Sequence, residues 1–105
     1  MSEYTPDSWV VVELNDGNGN THRRVFAGWF GGYTTGESWK MSSGIKHYTL
    51  TDDAIAFHGE SGSVYKCRKA NYGMTAYMQT IFDSFVKDTE GTNMSIKIIE
   101  GFEFL

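Results

Sequence analysis

The stretch Met74-Thr75-Ala76-Tyr77-Met78-Gln79-Thr80-Ile81-Phe82-Asp83-Ser84-Phe85-Val86-Lys87 decides how this chain is read. Met74, Tyr77, Met78, Ile81, Phe82, Phe85 and Val86 recur at three- and four-residue steps, an apolar stripe with the period of an α-helix. The opposite side carries Thr75, Gln79, Thr80, Asp83, Ser84 and Lys87. The spacing predicts an amphipathic helix over about 73–87, with Asn71 as a cap near its start and Glu90-Gly91-Thr92-Asn93 as its stop. A stripe on one side only must be hidden, and the rest of the chain supplies sheet to hide it.

Upstream of Tyr72 the period is two. Trp9-Val10-Val11-Val12-Glu13-Leu14 is β-branched and reads as a strand. Asn15-Asp16-Gly17-Asn18-Gly19-Asn20 follows, and its Asp-Gly and Asn-Gly steps suit a hairpin connection. Arg24 to Phe30 returns from it with Val25, Ala27 and Trp29 on one face and Arg24, Phe26, Gly28 and Phe30 on the other. Aromatics on both faces mark this strand as central. Trp39 to Ile45 holds a short third strand ending near Ser42-Ser43-Gly44, and Lys46 to Leu50 is β-compatible. Thr51-Asp52-Asp53 is a turn. Ala54 to His58 forms a strand with Ile55 and Phe57 on one face. Gly59-Glu60-Ser61-Gly62 is a second hairpin turn. In the return strand Ser63 to Arg68, Val64, Lys66 and Arg68 share one face and Tyr65 and Cys67 the other. After the helix, Met94 to Glu100 is a last strand. Phe102, Phe104 and Leu105 lie in an apolar tail that either packs on the domain or meets a partner. The expected fold is α+β: a curled, mostly antiparallel sheet of five to six strands packed on one amphipathic helix, in a single domain over residues 1–105.

Composition is consistent with that size. The chain has 105 residues, 40 % apolar and 15 % aromatic, and a domain near this length buries roughly two-thirds of its unfolded surface without staples. A single cysteine, Cys67, excludes an internal disulfide and suits a reducing cytoplasm. The polar, acidic start Met1-Ser2-Glu3-Tyr4-Thr5-Pro6-Asp7 lacks the basic and apolar regions of a signal peptide. No apolar run approaches the roughly 20 residues that span a bilayer, so no membrane association is expected. The formal net charge of −4 argues against nucleic-acid binding through phosphates. Basic residues nevertheless gather at Arg23-Arg24 and at Lys66, Arg68 and Lys69.

No catalytic set stands out. There is no Gly-x-Ser-x-Gly elbow, and Cys67 reads as a buried thiol in a strand. No two of His22, His47 and His58 have the i, i+4 spacing of a helical zinc motif, so neither a metal nor another cofactor is expected. The turn Gly59-Glu60-Ser61-Gly62-Ser63 with Lys66 and Arg68 offers either a tight hairpin or a backbone nest for an anion. Trp29 to Gly44 is the richest segment, setting Trp29, Phe30, Tyr33 and Trp39 among glycines and hydroxyls. Trp and Tyr combine apolar area with a polar handle, as recognition surfaces require. The candidate binding residues are therefore Trp29, Tyr33 and Trp39 in the aromatic segment, and Ser61, Ser63, Lys66 and Arg68 at the basic turn.

The order Trp29-Phe30-Gly31-Gly32-Tyr33, then Ser38-Trp39-Lys40-Met41-Ser42-Ser43-Gly44-Ile45, then Ser61-Gly62-Ser63-Val64-Tyr65-Lys66-Cys67, then Tyr72-Gly73 resembles a group of small uncharacterised proteins of tailed bacteriophages, over roughly residues 8–75. The resemblance implies a phage origin and a bacterial cytoplasm as the working site. It names no catalytic residue. The expected function is a non-enzymatic binding protein that engages a host protein, or a small nucleotide-like anionic ligand. The alternatives are an enzyme acting on a phosphorylated substrate held by Arg68 and the Ser61–Ser63 turn, which a pocket joining Arg68, His58 and a carboxylate would favour, a nucleic-acid-binding protein, and a virion or assembly protein. Homo-oligomer formation stays open because sheet edges can self-associate.

Overall fold

The computed structural model describes residues 2–31 and 37–99. Tyr33 and the tail residues Phe102, Phe104 and Leu105 lie outside the described residues. The chain runs β1 (Glu3–Tyr4), β2 (Ser8–Asn15), β3 (Thr21–Trp29), β4 (Ser38–Met41), β5 (Ile45–Leu50), β6 (Ala54–Gly59), β7 (Val64–Arg68), a 3-10 turn (Lys69–Asn71), α1 (Ala76–Thr89) and β8 (Ser95–Ile99). The α+β class read from the sequence is what the structure has. The strands form two sheets instead of one curled sheet, in the orders β1-β7-β6-β5 and β4-β3-β2-β8. All pairings between strands are antiparallel except β1 with β7.

The second sheet is the middle of three layers, and β2 shows why. Trp9 and Val11 point to one face, and Val10 and Val12 to the other. All four are buried. With Val25 and Ala27 of β3, Trp9 and Val11 meet Ile55, Phe57, Tyr65 and Cys67 of the outer sheet. On the reverse face Val10, Val12 and Phe26 meet Met78 and Phe82 of α1. A strand covered on both sides needs apolar residues at every position rather than at alternate ones, hence the run Trp9–Val12.

Two connections carry the layering. At the β2–β3 hairpin, Asp16 Oδ1 accepts from the backbone N–H of Asn18 at 2.7 Å and Oδ2 from the Asn20 amide at 2.9 Å. Those bonds, the Asn20 side chain first, hold the Asp16 carboxyl below its ordinary pKa. Gly17 turns there with φ +85°, where a Cβ would also strike Asn93. At Ser42 to Gly44 the chain leaves the middle sheet for the outer one. The expected third strand therefore stops at Met41, and β5 is a separate strand of the other sheet. Ser42 bridges the gap. Its N–H donates to Val25 O at 2.9 Å, its Oγ accepts from Val25 N at 2.8 Å, and its hydroxyl donates to Ser43 O at 2.7 Å.

The helix starts later than the stripe alone suggests, at Ala76 rather than near residue 73. Gly73 takes φ +136°, which an α-helix does not allow, and its N–H donates to Trp9 O at 2.8 Å. Thr75 is the N-cap, accepting from Met78 N at 3.1 Å. Asn71 instead ends the 3-10 turn. That turn lays Tyr72 against the start of β2, through a parallel bridge to Trp9. The Tyr72 hydroxyl donates to Ile99 O at 2.5 Å. Tyr72, Gly73 and β8 together line the outer edge of β2. No helix among the described residues is long and apolar enough to cross a membrane.

Candidate functional site

Three aromatic rings meet where β4 passes the second half of α1. Trp39 lies edge-on to Phe85 with ring centroids 5.3 Å apart and to Phe26 at 5.8 Å, and Phe26 and Phe85 are 5.8 Å apart. Such edge-to-face contacts add about 0.5–1.5 kcal/mol each beyond burial. Beside this cluster opens a groove of about 300 Å³ lined by Leu14, Trp39, Met41, Phe85, Asp88, Thr89 and Ile96. Its lining comes from four elements. Register places Trp39 opposite Gly28 and Met41 opposite Phe26 on one side, and Ile96 opposite Leu14 on the other. The helix forms the lip with Phe85, Asp88 and Thr89.

The groove is apolar with one charge at its rim. Trp39 remains 38 % exposed, and its indole N–H makes no hydrogen bond among the described residues. The Thr89 hydroxyl is occupied, donating to Val86 O at 2.7 Å. Asp88 is exposed and makes no ion pair among the described residues. Arg24 shares this face of β3 with Phe26. Its Nε is buried without a hydrogen-bond partner among the described residues, so none of them offsets the desolvation of that donor.

The residues picked out from the sequence fall on different surfaces. Trp39 is at the groove. Trp29 is on the opposite face of the middle sheet, half-buried against Tyr4 at 6.2 Å, with its Nε1–H donating to Thr5 O at 3.1 Å. Lys66 and Arg68 lie on the far face of the outer sheet, where Lys66 pairs with Glu3 at 3.0 Å. Ser61 and Ser63 belong to the β6–β7 turn, and both are drawn into hydroxyl contacts with each other at 3.4 Å and, from Ser61, with Ser43 at 3.1 Å. Arg23 and Arg24 point to opposite faces of β3. Arg23 pairs with Glu13 at 3.5 Å, and Lys97 meets the same carboxylate at 3.3 Å.

Two further groups bear on chemistry. Cys67 is fully buried between the sheets, which pushes its thiol pKa up and makes it unreactive as a nucleophile. His47 and His58, opposite one another on β5 and β6, stack with ring centroids 4.2 Å apart. Among the described residues no three His, Cys, Asp or Glu side chains gather where they could hold a metal ion.

Sequence reasoning missed most of the groove. Leu14, Phe85 and Ile96 are indistinguishable from core residues in the sequence, and only Trp39 carried a signal. Three comparisons with known proteins add nothing to this geometry: no family model, no curated protein and no solved structure matches the chain.

Proposed function

We propose that this protein is a non-enzymatic binding module that grips a partner protein through the groove at Trp39. The observation that carries this reading is the groove itself, an apolar concavity holding a partly exposed tryptophan whose indole N–H makes no hydrogen bond among the described residues, with one carboxylate, Asp88, at the rim. Its volume of about 300 Å³ sits at the bottom of the roughly 300–1,000 Å³ range of small-molecule sites. It suits one or two large apolar side chains of a partner, with a lysine or arginine beside them to meet Asp88. Taken with the phage resemblance, the partner would be a protein of a bacterial host cell.

The reading of a small nucleotide-like ligand draws less support. Of the residues lining the groove only Asp88 is charged, and it is negative. The basic residues that would hold a phosphate, Lys66 and Arg68, stand on another face, and Lys66 already has Glu3.

The test is affinity capture from bacterial lysate by the wild type, with Trp39→Ala and Asp88→Lys as comparisons. Loss of a truncated hot-spot tryptophan costs about 2–4 kcal/mol, or roughly 30- to 1,000-fold in affinity. The expected result is a protein recovered by the wild type, lost with Trp39→Ala and weakened by Asp88→Lys. Recovery of the same proteins by all three, with folding intact by circular dichroism, removes the groove from the account.

A further inference from the structure

The tip of the β2–β3 hairpin, Asn15-Asp16-Gly17-Asn18-Gly19-Asn20, holds an aspartate and an asparagine that are each followed by glycine. In both pairs the side-chain carbonyl lies within reach of the next residue's amide nitrogen, and glycine has no Cβ to shield that nitrogen. The fold treats the two pairs differently. At Asp16-Gly17 both reacting groups are engaged. The Gly17 N–H donates to Asn15 Oδ1 at 2.8 Å. The Asp16 carboxyl accepts from the N–H groups of Asn18 at 2.7 Å and Asn20 at 3.3 Å, and from the Asn20 side-chain amide at 2.9 Å. Those bonds, the Asn20 side chain first, favour its ionised form, and a carboxylate anion is a poor electrophile. At Asn18-Gly19 neither group is engaged. The Asn18 side-chain amide and the Gly19 N–H make no hydrogen bond among the described residues. Both residues are exposed. A Cβ at Gly19 would meet nothing within 4 Å, so the turn has room for a ring to close.

We propose that Asn18 is a site of spontaneous modification, converting to aspartate and isoaspartate through a succinimide, and that the folded turn protects Asp16 from the same rearrangement. The Gly19 nitrogen gives its proton to hydroxide or a buffer base and attacks Cγ of Asn18. A C–N bond forms, the Cγ–Nδ2 bond breaks, and the side-chain nitrogen takes a proton from water and leaves as ammonia. Water then adds to one of the two carbonyls of the five-membered ring. Opening at Cγ gives aspartate. Opening at the main-chain carbonyl gives isoaspartate, in which the chain runs through the side-chain methylene. Nothing is oxidised or reduced. Either product adds one negative charge to the formal net charge of −4 and sets it close to Asp16. Isoaspartate also lengthens the main chain by one atom between Asp16 and Asn20. Those two residues close the hairpin, through Asp16 N to Asn20 O at 3.1 Å and the two bonds from Asn20 to the Asp16 carboxyl. The added atom displaces Asn20 from all three, which loosens the turn. The site does not rest on the function proposed for the Trp39 groove.

The test is to age the full chain at neutral pH, folded and in guanidinium chloride, and follow it by peptide mass spectrometry with electron-transfer fragmentation, which separates aspartate from isoaspartate. In the folded chain Asn18 should turn acidic ahead of Asn15, Asn20, Asn71 and Asn93, with isoaspartate among the products. Asp16 should remain ordinary aspartate in the folded chain and gain isoaspartate in guanidinium. Asn18→Gln, whose longer side chain would need a larger ring, should lose the reaction at this turn. It should melt like the wild type, because position 18 is exposed. The aged fraction that carries isoaspartate, resolved by anion exchange, should melt below the fresh chain. Conversion of another asparagine ahead of Asn18 overturns the proposal, as does acid at position 18 without isoaspartate, which marks direct hydrolysis. Isoaspartate forming at Asp16 as fast in the folded chain as in the unfolded one overturns the protection, and an isoaspartate fraction as stable as the fresh chain overturns the loosening of the turn.

Discussion

Ser42 is the residue on which the exchange between sheets turns. Its side chain is polar and buried, 3 % exposed. It stands where β4 ends and β3 would otherwise lose a partner, and its Oγ accepts the Val25 N–H that no β4 backbone reaches. Replacing it with alanine leaves that N–H buried and unsatisfied, at about 1–3 kcal/mol. Urea unfolding of Ser42→Ala should show a midpoint lowered accordingly, with the slope unchanged. Threonine, which keeps the hydroxyl, should recover part of the loss. From the sequence, Ser42-Ser43-Gly44 reads as a strand end. That its hydroxyl replaces a ladder bond depends on Val25, 17 residues upstream, and is invisible until β3 and β4 are paired.

At the scale of elements, α1 sits close on the middle sheet because β3 has no side chain at Gly28. A Cβ there would fall 2.5 Å from Met78 Sδ and 2.9 Å from its Cγ, and Met78 is fully buried. Gly28→Ala should therefore destabilise by about 1–3 kcal/mol through overpacking. Shortening the opposing side chain in Gly28→Ala/Met78→Val should recover part of that. The measurement is thermal melting of the two single variants and the double; simple addition of the single losses would show that the sites are not in contact. The stripe of α1 announced a buried face. It did not say which strand would receive it, because the alternation of β3 gives both of its faces apolar residues.

The molecule as a whole is held by an apolar layer between the sheets that also contains two weak acids. Burial, followed by the charges of Tyr4 and Cys67, pushes the Tyr65 hydroxyl from 10.0 up to about 12. Burial likewise raises the Cys67 thiol from its ordinary value of 9.0. Both groups are neutral below those ordinary values, so the folded state is fully favoured there. As pH rises beyond them the unfolded chain releases protons that the folded chain retains, and stability falls with pH. Melting temperature should hold from pH 7 to about pH 8.5 and decline from about pH 9 as the thiol and then the phenol titrate in the unfolded chain. Cys67→Ala should move the onset of the decline towards pH 10 even if it lowers the starting stability. A melting temperature independent of pH up to 11 would show that neither group is desolvated.

The sequence by itself determined the elements and their class. The change of period after Tyr72, the Asp-Gly and Asn-Gly turn chemistry and the β-branched run at Val10–Val12 are local signals, and they act before any contact between elements forms. It also marked β3 as central, since aromatic residues on both faces leave no side for water. Only the tertiary structure decided that the strands divide into two sheets, with the middle one covered by a sheet on one face and a helix on the other. Strand partnership is a contest among many apolar edges, settled by which faces fit and where Ser42 lets the chain cross. The groove is of the same kind. Leu14, Trp39, Phe85 and Ile96 come from four separate elements, and what makes them a site is the space that packing leaves between them.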